Sequence, residues 1–217
     1  MDLTSQVKVC MFDQYGTVVD IQGGLVEVAT PFLKSKGWTG NPNSFVTWWR
    51  RTHFENSMID ALLGRDHTSY RAIGEAAVAL VMDRAGIAHT ADEARDLVAA
   101  IERLRPFPEV PAALDRLRRR YRLVVLSNGD PDMLETAKRY HGIAFDQVIS
   151  VAAAGAFKPH HATSMRRPRN WPAWHTRRCC SSPTMRSTAS APRRPGCAPR
   201  SSTVAAGRLV RRRISRT

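Results

Sequence analysis

The last 58 residues of this 217-residue chain contain no aspartate, glutamate or lysine, although they hold 14 arginines. Residues 1–159 carry all 19 acidic residues and 19 basic ones, so the formal net charge of +14 belongs entirely to residues 160–217. Such an asymmetry is typical of a basic tail that binds nucleic acid or a membrane surface. It excludes a uniformly basic globule.

The chain is also poor in long apolar runs and in cysteine. No run approaches the roughly 18 residues of a membrane-spanning helix, and Asp13 interrupts the first apolar stretch, so we expect no signal peptide and no membrane partner. The four cysteines lack the spacing of a metal site or a disulfide framework. These absences predict a cytoplasmic protein.

The apolar periodicity of residues 1–159 indicates strands that alternate with helices, which is typical of a doubly wound parallel sheet. Thr90 and Glu93 have the spacing of a helix capping box, and Asp130 is expected to cap the helix that follows it. The predicted strands are residues 7–12, 123–126 and 145–151, and the predicted helices lie within 25–105 and at 110–120 and 131–140.

The sequence therefore predicts an α/β fold with a doubly wound parallel, Rossmann-like core. Residues 1–20 and 106–159 form the core, residues 21–105 an inserted helical cap, and residues 160–217 a basic tail. The tail holds six prolines and eight serines without sustained periodicity, which predicts disorder.

Polar side chains follow the predicted strands where each one ends. Asp13 and Thr17 follow the first strand, Ser127 and Asn128 the second, and Lys158 the third. Ligands of open α/β sheets bind at the carboxyl ends of the strands. Singly, each residue could be a turn residue or a solvated side chain, but together they predict one site with a carboxylate, hydroxyl and amide donors and a cation.

Three sequence motifs lie at these predicted strand ends. They are Asp13-Gln14-Tyr15-Gly16-Thr17-Val18-Val19-Asp20, Leu126-Ser127-Asn128-Gly129 and Phe157-Lys158-Pro159. These motifs resemble those of the haloacid dehalogenase (HAD) superfamily, and more narrowly those of the L-2-haloacid dehalogenases (type II). The segments Trp49-Arg50 and Pro106-Phe107-Pro108-Glu109-Val110-Pro111 also match the narrower family. The resemblance covers residues 7–161.

The resemblance implies hydrolysis of a small 2-haloalkanoic acid without a cofactor, from the (S)-2-haloacid to the (R)-2-hydroxyacid. Asp13 would attack carbon 2, expel the halide and form an ester that water hydrolyses. Lys158 would keep Asp13 ionised, and Thr17 and Ser127 would orient the carboxylates.

The remaining site residues are implied to bind the substrate. Arg50 would pair with the substrate carboxylate or receive the halide, with neighbouring Arg51 as its rival. Asn128 would hold the leaving halide. Tyr15 would line the pocket or pack under the cap.

Tyr15 also separates the two enzymatic alternatives. Superfamily phosphatases carry an acid two positions after the nucleophile, which protonates the leaving alkoxide. A halide needs no proton, so a tyrosine there favours a dehalogenase over a phosphatase. A third alternative is a nucleic-acid-binding tail, but its arginines lack a periodic arrangement, and nucleic acid is not the predicted partner.

The resemblance ends near His160, and the family's fourth motif is absent. A shift of reading frame near His160 and His161 is one hypothesis, because a neighbouring frame across residues 177–191 can encode an apolar strand followed by Asp-Asn. Without that strand, we expect the first strand to lie at the edge of an incomplete sheet. We also expect impaired activity, because no acid remains to activate water, and association between chains, with a homodimer as one form.

Overall fold

The computed structural model describes residues 7–64, 66–160 and 162–163, together with the backbone of residues 179–181. All of them belong to one compact unit, residues 1–185, whereas the second unit, residues 186–217, lies outside the described residues. Apart from residues 160, 162–163 and 179–181, the predicted basic tail also lies outside them.

A parallel sheet of four strands runs in the order β3-β2-β1-β4 among the described residues. Residues Met11 and Phe12 of β1 pair with Val124 and Val125 of β2, which aligns the two strand ends. The predicted α/β fold with a parallel sheet is confirmed. The strands are β1 (Val9–Phe12), β2 (Arg122–Ser127), β3 (Gln147–Ser150) and β4 (Cys179–Ser181).

The expectation that β1 lies at an edge of the sheet is wrong. Strand β4 pairs with β1 in parallel, with Val9 opposite Cys179 and Met11 opposite Ser181. Strand pairing uses backbone N–H and C=O groups, so an extended segment can cover an edge whatever side chains it carries. The missing fourth motif therefore does not leave β1 uncovered.

The described part of the chain also contains six α-helices. Helices α1–α4, which we call the helical layer, come from the segment between β1 and residue 105. The helices are α1 (Ile21–Ser35), α2 (Pro42–Leu63), α3 (Tyr70–Arg84), α4 (Ala91–Ala99), α5 (Val110–Arg118) and α6 (Pro131–His141), and short 3₁₀ turns follow at Ala100–Arg103 and Val151–Ala154.

Local sequence signals explain where these helices begin and end. The side chain of Asn41 caps α2, where Pro42 takes the first helical position. Gly64 ends α2 with a positive φ of 62°, a conformation that glycine adopts without steric cost. The predicted capping box of Thr90 and Glu93 is confirmed at the start of α4.

The helical layer and the sheet share one hydrophobic cluster. Leu25 of α1 and Trp49 of α2 are buried in it with Leu123 and Val125 of β2. The layer therefore packs on the same body as the strands whose ends carry the candidate site. The division into separate core and cap domains stays a prediction. None of the described helices has the length and apolarity of a membrane span.

Candidate active site

The chain turns sharply after β1, and this turn presents Asp13. The carbonyl oxygen of Gln14 accepts hydrogen bonds from the N–H groups of Thr17, Val18 and Val19 at 3.4, 2.9 and 3.1 Å. Gly16 has a φ of 85°, which explains the need for glycine there. The tight turn leaves the Asp13 side chain 31% exposed at the carboxyl end of β1.

Asp13 and Lys158 form the central contact of the site. The Lys158 Nζ donates to Asp13 Oδ1 at 2.7 Å and to the carbonyl oxygen of Leu126 at 2.7 Å. The backbone N–H of Lys158 donates to Asn128 Oδ1 at 2.8 Å. Lys158 is thus fixed at its backbone and at its ammonium group, with its side chain only 13% exposed.

The Ser127-Asn128-Gly129 turn braces this contact from the end of β2. Ser127 is fully buried, and its Oγ accepts the Gly129 N–H at 3.2 Å. Because Asn128 Oδ1 accepts from Lys158, the amide NH₂ of Asn128 remains as its hydrogen-bond donor. The structure therefore brings Asp13, Ser127, Asn128 and Lys158 together, as predicted from their places at strand ends, whereas their chemical roles stay predictions.

Tyr15 packs against the helical layer. Its ring stacks on that of Tyr70 at the start of α3, with centroids 5.8 Å apart and planes 2° apart. Its hydroxyl is buried without a hydrogen-bond partner in the described structure. Burial, and then the neighbouring Tyr70, raise the pKa of Tyr15 well above its ordinary value, so its hydroxyl stays neutral.

Arg50 and Arg51 on α2 point in different directions. Arg50 is half-buried, its Nη1 donates to Gln22 Oε1 at 2.7 Å, and its Nη2 lies 3.8 Å from the position that a Cβ on Gly16 would take. Burial lowers the pKa of Arg50. Arg51 is exposed and pairs with Glu55 at 2.8 Å. Only Arg50 therefore approaches the turn that carries Asp13, which favours it over its rival.

The sequence interpretation missed three aromatic neighbours of the site. Tyr70 contacts Tyr15 and lies 6.1 Å from the ring of Phe157, and the ring of His53 lies 4.0 Å from that of Tyr70. Phe157 could have been found from its place beside Lys158. Tyr70 and His53 carry no local signal, because only the packing of α2 against α3 brings them together.

Asp130 corrects a second expectation. It occupies the N-cap position of α6, but its side chain makes no capping hydrogen bond to that helix. Instead, its two carboxylate oxygens accept the N–H groups of Tyr70 and Arg71, at 2.9 and 3.0 Å. The first turn of α3 offered unsatisfied N–H groups, which compete for the carboxylate.

A magnesium site would need a second acid beside the nucleophile, as in the phosphatases of the superfamily. The neutral Tyr15 stands at that position, and the Lys158 ammonium lies against Asp13. No group of three or more His, Cys, Asp or Glu side chains in the described ranges could hold a metal ion. The residues present therefore do not fit that magnesium site.

Comparisons with known proteins agree with the geometry. The (S)-2-haloacid dehalogenase of Xanthobacter autotrophicus is 33% identical over 156 residues, which are 71% of this chain and 58% of that protein. Haloacetate dehalogenase H-2 of Moraxella sp. (strain B) is 28% identical over 71% of this chain and 67% of its own length.

A solved structure of an L-2-haloacid dehalogenase is also similar to this chain. The L-2-haloacid dehalogenase of Xanthobacter autotrophicus with chloropropionic acid covalently bound superposes with a TM-score of 0.64 at 30% identity, covering 73% of this chain and 62% of that one. This chain thus spans about three fifths of the Xanthobacter protein's length. The sequence profile of the haloacid dehalogenase-like hydrolases matches residues 7–164, so the chain belongs to that family.

Proposed function

We propose that this chain converts (S)-2-haloacids to (R)-2-hydroxyacids through an ester on Asp13. The observation that carries the proposal is the Asp13–Lys158 contact of 2.7 Å at the carboxyl end of the sheet, with the Asp13 side chain 31% exposed. The covalent chloropropionic acid adduct of the Xanthobacter enzyme supports the same type of intermediate.

The reaction follows from the groups around Asp13. A carboxylate oxygen attacks carbon 2 opposite the halogen, so the C–O bond forms while the carbon–halogen bond breaks and its electron pair leaves with the halide. Water then attacks the carbonyl carbon of the ester and breaks its bond to the oxygen on carbon 2, and that oxygen takes one proton of the water to give the hydroxyacid while the other proton goes to solvent. Carbon 2 inverts once, and Asp13 regains its carboxylate.

Arg50, Asn128 and Lys158 would bind the substrate and hold Asp13 in position. The planar guanidinium of Arg50 suits a substrate carboxylate or the departing halide. The amide NH₂ of Asn128 is a donor for the halide, and Lys158 holds Asp13 in place for attack. Thr17 and Ser127 would maintain the two turns from which these groups project.

The second step lacks an obvious base in the described part of the chain. Asp20 accepts the N–H of Gly23 at the start of α1, and Asp130 accepts two N–H groups at the start of α3. Both oxygens of Asp130 and one oxygen of Asp20 are therefore engaged by backbone N–H groups. We therefore expect ester hydrolysis to be slower than ester formation, which is the form that impaired activity would take.

Rapid mixing with (S)-2-chloropropionate tests this proposal. Chloride release should show a first phase of at most one equivalent per chain, followed by a slower steady rate. Intact mass spectrometry should find one carboxyethyl group on the chain during the first phase, and peptide analysis should locate it at Asp13. Chloride release without an adduct at Asp13 would reject the ester mechanism. Magnesium-dependent phosphate release from a phosphate ester would support a phosphatase instead.

A further inference from the structure

Asp130 joins the sheet to the helical layer, because its side-chain carboxylate accepts hydrogen bonds from the backbone of α3. It follows the Ser127-Asn128-Gly129 turn, is 6% exposed, and uses Oδ1 for the Tyr70 N–H and Oδ2 for the Arg71 N–H. Each oxygen therefore serves one of the first two residues of α3. An asparagine could present only one acceptor oxygen, and its NH₂ would face the second N–H donor.

The start of α3 is a favourable place for a buried carboxylate. The first N–H groups of a helix lack partners within the helix, and its N-terminus carries partial positive charge. The Ser69 hydroxyl satisfies the Ala72 N–H at 3.1 Å, which leaves the Tyr70 and Arg71 groups to Asp130. Removing one acceptor would leave a part-buried donor unsatisfied, which costs more than losing an exposed contact.

Fixing the Tyr70 backbone also fixes its ring against the site. The ring lies parallel to that of Tyr15, which follows Asp13 by two residues, while His53 Nε2 contacts the Tyr70 carbonyl oxygen at 3.0 Å. Tyr70 is thus held at its N–H, at its carbonyl and on the face of its ring. A shift of its backbone would change the support of the Tyr15 ring.

Arg71 provides a comparison within the same interface. Its guanidinium pairs with Asp132 at 2.8 Å and with Glu102 at 2.7 Å, but the Asp132 side chain is 66% exposed. Exposed ion pairs contribute little to stability. Asp132, in the first turn of α6 and two residues from Asp130, therefore offers a matched control.

We propose that Asp130 is a positioning residue, which holds Tyr70 against Tyr15 and thereby fixes the aromatic pair beside the turn that carries Asp13. Its effect on catalysis rests on the proposed function, whereas its effect on the tyrosine pair does not. Asp130 hydrogen-bonds the backbone of α3, so its effect on the turn that carries Asp13 passes through the contact between the Tyr70 and Tyr15 rings.

The test compares Asp130→Asn and Asp130→Ser with Asp132→Asn in the full chain. Amide exchange at Tyr70 and Arg71 should accelerate about tenfold or more in both Asp130 variants, as expected for loss of a charge-assisted hydrogen bond. The ring-proton NMR shifts of Tyr15 and Tyr70 should change as well. In Asp132→Asn, exchange should stay within about twofold and the ring shifts should be unchanged.

A catalytic readout separates positioning from a merely structural role. In the Asp130 variants, first-phase chloride release at saturating (S)-2-chloropropionate should slow about tenfold, and half-saturation should need more substrate. Unchanged amide exchange in the Asp130 variants would overturn the proposal. Faster exchange would also overturn it if the ring shifts and the rate of chloride release both stayed unchanged, because Asp130 would then stabilise α3 without positioning Tyr70. If the unmodified chain releases no chloride, the proposed function fails, while exchange and ring shifts still decide whether Asp130 positions Tyr70.

Discussion

The two sides of the site are held together in different ways. On the sheet side, hydrogen bonds to Asp13, Leu126 and Asn128 fix Lys158 at both its ammonium group and its backbone. On the helical side, Gln22 alone accepts a hydrogen bond of the Arg50 side chain among the described residues. Under the proposed function, the sheet would fix the reacting groups, whereas the helical layer would contribute to substrate binding.

The largest expected effect lies on the sheet side, at Asp13, the proposed nucleophile. Asp13→Asn should reduce first-phase chloride release by about 10⁴-fold, because the amide lacks the charged oxygen that attacks carbon 2. Asp115→Asn on the exposed face of α5 is the control and should change the rate less than about twofold. Chloride assays under single-turnover conditions measure both. Equal rates for Asp13→Asn and the unmodified chain would contradict the assignment.

Lys158→Met should give the next largest effect. It removes the cation beside Asp13 and the donor for the Leu126 carbonyl, so chloride release should fall about a thousandfold. Stability should also fall by about 1–3 kcal/mol, because a part-buried carbonyl loses its partner. Lys34→Met, in the exposed last turn of α1, serves as the control. Denaturant unfolding and the chloride assay together would separate a loss of rate from a loss of stability. A Lys158→Met variant that is stable and releases chloride at the full rate would refute the role of Lys158.

The helical side should respond through substrate binding. Arg50→Met should lower kcat/KM by about a hundredfold, mainly by raising KM, because a part-buried cation that faces the turn after Asp13 is lost. Arg51→Met removes an exposed cation and should change kcat/KM by less than about twofold. Steady-state kinetics on (S)-2-chloropropionate measure the pair. Similar losses in both variants would indicate a general effect of positive charge on α2.

The sheet side could be read from the sequence because its signals are local. Short apolar runs predict the strands, and the residues that end them meet at one edge once the strands are parallel. Asp13, Asn128 and Lys158 are found in this way. Strand β4 could not be predicted, because its pairing with β1 is made by the backbone and needs no particular side chains.

The helical side was less predictable because its contacts depend on how the helices pack. Periodicity indicates helices between residues 25 and 105, but the contact of Tyr70 with Tyr15 depends on where α3 starts relative to β1. Asp130 shows the same limit. Its sequence position indicates a cap for α6, but the position of α3 determines which N–H groups it accepts.

The smallest expected effect concerns pH and the helical side. Burial lowers the pKa of His53 from 6.5 to about 4, and its Nε2 contacts the Tyr70 carbonyl oxygen, so the folded chain keeps a neutral ring with Nε2 protonated. Between pH 6.5 and 4, the unfolded chain binds a proton that the folded chain excludes. The free energy of unfolding should therefore fall by about 2 kcal/mol from pH 7 to pH 5 on account of His53.

Replacing His53 with glutamine tests this pH effect, because the glutamine amide can still donate to the Tyr70 carbonyl but does not titrate. In His53→Gln, the fall in unfolding free energy between pH 7 and pH 5, followed by denaturant unfolding, should be smaller by that amount. Burial also lowers the pKa of His141, which should contribute its own part of the fall in unfolding free energy with falling pH. His141→Gln is therefore the control: it should remove that separate part of the slope and leave the part assigned to His53. If His53→Gln keeps the whole slope, His53 is not the group that couples stability to pH. If it removes the part of the slope assigned to His53, acid should accelerate amide exchange in α2 and α3 before it does so in β1 and β2. The reason is that His53 lies between those helices and contacts no strand directly in the described structure.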